Sequence, residues 1–84
     1  LVDKVIVYTM NDCIECTMVK RVLAEEGIPF ETRNISEDPL FKKEVEQYGF
    51  LGVPVTVYGE KAVKGFRNEL KEMIDLAKRN RPLP

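Results

Sequence analysis

Two cysteines, Cys13 and Cys16, stand one helical turn apart with only Ile14 and Glu15 between them. Two thiols at this spacing can close a disulfide, hold a pair of electrons, or grip a soft metal such as Cu(I) or zinc. A disulfide framework in a small secreted domain normally uses four or more cysteines at longer spacings. So short a loop would also restrain the unfolded chain little. If a helix begins at Cys13, free backbone N–H groups and the helix dipole favour a negative charge there. Cys13 is then the expected nucleophile, because the thiolate is the reactive form. Asp12 and Glu15 oppose this shift with their own charges, so a moderately activated thiol is expected.

The pair needs a strand and a helix to position it, and the flanking sequence supplies both. Lys4 to Thr9 is a short apolar run rich in β-branched residues, as in a strand buried on both faces. Met10, Asn11 and Asp12 form a brief loop, and a helix is expected from about Cys13 to Glu26, stopped by Gly27. Ile14, Met18, Val19, Val22 and Leu23 recur at three- and four-residue steps, which assigns them to one buried face.

Downstream, Phe30 to Ile35 reads as a second strand. Asp38 is an N-cap with Pro39 at the first helical position of a short helix carrying Leu40, Phe41, Val45 and Tyr48 and ending at Gly49. Phe41 and Tyr48 are assigned to the core. Val55 to Tyr58 and Lys61 to Lys64 are strands joined by a tight Gly59-Glu60 turn. A last helix from about Asn68 carries Leu70, Met73, Ile74 and Ala77 on one face, followed by a frayed tail.

The element order is therefore β-α-β-α-β-β-α, an α/β class. It predicts a four-stranded mixed sheet in order 2-1-3-4, with strand 3 antiparallel to strand 1. The first and last helices would cover one face and the middle helix the other.

With 84 residues, the chain fits one domain, 1–84. Its 13 basic and 14 acidic residues sum to −1, with no basic run to attract nucleic acid or anionic lipid. No apolar stretch approaches the roughly 20 residues a bilayer requires. The absence of histidine excludes His-based acid–base catalysis and His metal ligation. The first residues, Leu1-Val2-Asp3-Lys4, lead into a strand without a secretory pattern, so a cytoplasmic protein is expected; a monomer is expected as well.

Gly52-Val53-Pro54-Val55 is the second feature of note. A proline cannot donate to a sheet ladder, so Pro54 belongs at a strand start or edge. Tyr8-Thr9, Cys13-x-x-Cys16 and Val53-Pro54, in that order, resemble the glutaredoxin-like branch of the thioredoxin superfamily. The downstream Gly65-Phe66-Arg67 is similar to the NrdH-redoxins. The resemblance spans roughly Lys4 to Ala77 and implies a thioredoxin fold. It also implies that Cys13 attacks, that Cys16 resolves, and that Pro54 follows a cis bond facing the disulfide. Tyr8, Met10, Val53 and Phe66 would join Pro54 in docking the substrate, with Tyr8 a wall of the site or a core residue.

The implied function is a small dithiol oxidoreductase that reduces protein disulfides, with ribonucleotide reductase as a client by family analogy. No cofactor need be bound, since the two thiols hold the electrons that a reductase supplies from NADPH. Glutaredoxins commonly carry Lys at the position of Met10, Thr at Gly52 and Gly at Phe66. These three departures point to thioredoxin reductase, rather than the glutathione system, as the source of electrons. A soft-metal (Cu/Zn) carrier is the competing reading. Copper-trafficking domains also place CxxC after a first strand, but they follow a βαββαβ order and set their Met two residues before the first Cys rather than three. A glutathione-bridged iron–sulfur dimer is a third reading.

Overall fold

In a computed structural model, residues 4–79 are described. They form β1 (Val5–Thr9), α1 (Ile14–Glu25), β2 (Phe30–Asn34), α2 (Pro39–Gln47), β3 (Val55–Tyr58), β4 (Lys61–Lys64) and α3 (Asn68–Arg79). The sheet order is β2-β1-β3-β4. β1 runs parallel to β2 and antiparallel to β3, and β3 and β4 form an antiparallel hairpin. This is the expected order and topology. The tail expected to fray from Arg79 begins one residue later at the earliest, since Arg79 closes α3; residues 80–84 lie outside the described residues.

Each boundary has a local cause. The Asp38 side chain accepts from the Leu40 N–H at 2.9 Å, and Pro39 occupies the first turn of α2, where no intrahelical donor is needed. Gly27 follows α1 with φ +72, a conformation that costs glycine little.

The pleat of β1 separates two cores. Val5 and Val7 face α1 and α3, where they pack with Val19, Leu23, Leu70, Met73, Ile74 and Ala77. Tyr8 faces the other way, against Val45 of α2 and Val55 and Val57 of β3. The first and last helices therefore share one face of the sheet, and α2 covers the other.

Two assignments from periodicity are corrected here. Ile14 is 81% exposed, and Met18 is also exposed; the buried stripe of α1 runs through Cys16, Val19 and Leu23. At about 100° per residue, Ile14 and Met18 fall on the opposite side of the helix. On α2, Phe41 packs against the core, whereas Leu40 and Tyr48 are exposed; Tyr48 only leans its ring on Tyr8, with centroids 6.5 Å apart.

The α2 face also carries a polar cluster. The Tyr8 hydroxyl donates to Glu44 at 2.7 Å, and Arg33 donates to the same carboxylate at 2.8 Å. Burial, and then the bond to Glu44, push the Tyr8 phenol up to about 12. Arg33 also pairs with Glu31, holding that carboxyl below its usual range. Its guanidinium lies 5.9 Å from the centroid of Tyr8 and 5.8 Å from that of Phe41.

Candidate active site

Cys13 is the N-cap of α1, with extended backbone (φ −112, ψ 105). Its Sγ accepts from the Cys16 N–H at 3.2 Å, and its carbonyl accepts from both the N–H and the hydroxyl of Thr17, each at 3.2 Å. The two cysteines form a disulfide, with Cα atoms 5.2 Å apart. Cys13 is half-buried, while Cys16 is 1% exposed and sits on the core-facing stripe of the helix. Water-borne reagents can thus meet one sulfur of the pair, and an oriented amide already points at that sulfur. When the bond is reduced, this N–H is placed to stabilise a thiolate on Cys13.

The loop between β1 and α1 is held by side chains that carry no sequence signal for this role. Asp12 has φ +58, a left-handed conformation unusual outside glycine. The Asn11 N–H donates to Ser36 Oγ at 3.2 Å, and Asn34 Nδ2 donates to Asn11 Oδ1 at 3.0 Å. Asn34 Oδ1 in turn accepts from the Ser36 N–H at 2.8 Å. The turn after β2 therefore braces the cysteine loop from more than 20 residues away in sequence, a distance no local motif spans.

The other expected site residues do not all face the cysteines. Met10, 46% exposed, shares an open concavity with Asp12, Cys13, Cys16 and Lys20. Phe66, 40% exposed, lines a neighbouring depression with Ile14, Glu15, Met18 and Arg67. Pro54 is buried and follows a cis peptide bond; β3 pairs Val55 with Tyr8, which sets Pro54 opposite Thr9, where the cysteine loop begins. Val53 turns its side chain toward the α2-side core. Tyr8 is not a wall of this site. The pleat puts it on the opposite face of the sheet, 2% exposed.

Glu15 also departs from the reading of its charge as an opponent of the thiolate alone. Its Oε2 accepts from the Phe66 N–H at 2.8 Å, which draws the carboxylate toward the loop after β4. Among the described residues, no group of three or more Cys, Asp or Glu side chains is placed to hold a metal. No described helix is long and apolar enough to cross a membrane.

Comparison with known proteins agrees with this geometry. The glutaredoxin family model matches residues 5–63. A glutaredoxin-like protein NrdH of Lactococcus lactis is 43% identical over 63 residues, covering 75% of this chain and 88% of that protein. The NrdH protein of Escherichia coli is 31% identical over 67 residues, covering 80% and 83%. The solved structure of the Escherichia coli NrdH-redoxin, a glutaredoxin-like protein with a thioredoxin-like activity profile, superposes with a TM-score of 0.74. It covers 96% of this chain and 99% of that one. With its thioredoxin fold and its Cys13–Cys16 pair, the chain belongs to the glutaredoxin family, on the branch of the NrdH-redoxins, and is a thiol–disulfide redox protein.

Proposed function

We propose that this protein reduces disulfides in client proteins and is itself reduced by thioredoxin reductase at the expense of NADPH. The observation that carries the reading is the asymmetry of the cysteine pair: Cys13 at the surface under an oriented N–H, Cys16 buried one turn behind it. The Cys13 thiolate attacks one sulfur of a client disulfide, and the other client sulfur leaves as a thiolate. Cys16 gives up its proton and attacks Cys13 Sγ, which expels the second client sulfur. The client gains two electrons and the protein retains the Cys13–Cys16 disulfide. No bound cofactor takes part. Ribonucleotide reductase is the proposed client, by analogy with the branch, and the cytoplasm the proposed compartment.

Three residues support thioredoxin reductase over glutathione. Glutathione's carboxylates need fixed cations or oriented N–H donors. Met10 offers an exposed apolar side chain in place of a charge, and Phe66 adds a ring to the rim. Gly52 contributes no hydroxyl beside Pro54, although Lys64 Nζ stands 3.5 Å from where a side chain at 52 would begin. That ammonium, with Arg67 beside Phe66, is a cation that could compensate.

The test is NADPH oxidation with a disulfide substrate, comparing thioredoxin reductase against glutathione plus glutathione reductase. Turnover about tenfold faster with thioredoxin reductase is expected; equal or faster turnover with glutathione overturns the assignment of reductant. In the same assay Cys13→Ser abolishes reduction. Cys16→Ser accumulates a mixed disulfide visible by mass spectrometry, and faster alkylation of Cys16 than Cys13 in the reduced protein reverses the two roles.

A further inference from the structure

We infer that Glu15 is a positioning residue that latches the Gly65–Arg67 loop to the cysteine helix and so fixes the rim against which partner proteins dock. The inference deepens the proposed function and rests on it for the identity of the partners.

Two consecutive amides of this loop reach in opposite directions. The Gly65 N–H donates to the Pro54 carbonyl at 2.8 Å, and the Phe66 N–H donates to Glu15 Oε2 at 2.8 Å. One peptide segment thereby ties the entrance of β3 to the first turn of α1. Without Glu15 the second tie is gone, and the loop keeps only its end bonds, Gly65 N–H to the Pro54 carbonyl and Leu70 N–H to the Arg67 carbonyl at 3.0 Å, with none to the cysteine helix among the described residues. Residues 65–67 lie between β4 and α3; Gly65 extends the β3–β4 ladder and the Arg67 carbonyl caps the first turn of α3, which leaves the Phe66 amide between them for Glu15.

The fit is close enough to constrain residue 65. Gly65 has φ +82, and a Cβ built on it would stand 2.8 Å from Glu15 Oε2, well inside contact distance. A glycine here lets the carboxylate approach the backbone. Position 15 is also favourable for an anion. It lies in the first turn of α1, where the helix dipole favours a negative charge, and its partner amide lies two residues before α3.

The consequence concerns recognition. Phe66, Ile14 and Met18 are exposed apolar side chains lining one depression with Glu15 and Arg67. Ile14 and Met18 ride on α1, whereas Phe66 rides on the loop. The latch makes them a single preformed surface, so a partner meets an ordered rim and does not have to immobilise it. The occupant is thioredoxin reductase, whose thiolate attacks Cys13 Sγ of the Cys13–Cys16 disulfide and releases Cys16 as the leaving thiolate; a second reductase thiol then frees Cys13 and closes the reductase's own disulfide.

Three variants of the full chain test this: Glu15→Ala, which removes the acceptor; Glu15→Gln, which keeps an acceptor oxygen; and Gly65→Ala, which crowds it. Hydrogen exchange at the Phe66 amide reads the latch directly and independently of any redox activity. Exchange about tenfold faster or more in Glu15→Ala, with near wild-type protection in Glu15→Gln, is expected. With thioredoxin reductase as partner, KM rises about fivefold in Glu15→Ala with the loss falling on KM rather than kcat, and Glu15→Gln restores it. Gly65→Ala in the Glu15→Ala background adds less than it does alone. Unchanged Phe66 exchange in Glu15→Ala overturns the latch. Faster exchange with unchanged KM overturns its role in docking. A wild-type protein that reduces no disulfide, yet shows the exchange pattern, defeats the proposed function and leaves the latch standing.

Discussion

On the α1 and α3 side of the sheet, the described residues bury ten apolar side chains in one cluster, from Val5 to Ala77. On the α2 side they bury four, and α2 itself contributes only Val45. That face makes up part of the difference with the Tyr8–Glu44–Arg33 bonds, which tie α2 to β1 and β2. The cysteines are mounted on the first kind of face. A dithiol that cycles between two covalent states benefits from a helix anchored by dispersion and burial, which are indifferent to charge and proton uptake. Polar anchoring tolerates a sparser core, but it brings a dependence on pH to the side of the sheet away from the chemistry.

The largest expected break in this contrast is Leu23→Ala. Leu23 is fully buried between α1 and the sheet, and truncation leaves a cavity worth about 2–5 kcal/mol. Urea unfolding measures the loss, and a value under 1 kcal/mol would mean that the cysteine face repacks freely. Glu44→Ala comes next, at about 1–2 kcal/mol, because it removes the acceptor shared by the Tyr8 hydroxyl and Arg33.

Burial of the Tyr8 phenol, with its bond to Glu44, sets an alkaline limit. The folded phenol ionises near 12 rather than 10, so its stabilisation is complete below pH 10 and is lost as pH rises toward 12. Denaturant midpoints followed across that window fall in the wild type. They fall less in Tyr8→Phe, which has no phenol to ionise, and a decline of equal depth in that variant would place the cause elsewhere. Smallest is Leu40→Ala, within about 0.5 kcal/mol, since Leu40 is 61% exposed at the start of α2.

Much of the fold was legible because its signals are local. The Asp38-Pro39 helix start, the Gly59 turn, and the strands Val55–Tyr58 and Lys61–Lys64 each depend on neighbours a few residues away. Periodicity misassigned Ile14 and Met18 because it treated Cys16 as chemistry alone, whereas that thiol is also the first core residue of α1. Tyr8 could have gone to either face on residue type; the pleat of β1 sends it to the α2 side, where Glu44 and Arg33 meet its hydroxyl. In the site, the cysteines and Pro54 were readable from motif and resemblance. Asn11, Asn34, Ser36 and the tie from Glu15 to Phe66 were not, since each joins positions 23 to 51 residues apart.

The two outer strands have a consequence beyond the single molecule. An uncovered strand edge is a template on which another chain can add itself, and partial unfolding or crowding makes that hazard worse. Here β4 is four residues long and begins and ends with exposed lysines, Lys61 and Lys64. The opposite edge, β2, is five residues long and carries Glu31 and Arg33 in alternation. Neither edge offers the long, uncharged ribbon that amyloid-type stacking requires. Crowding therefore gives the sheets of this redox protein little opportunity to grow into one another.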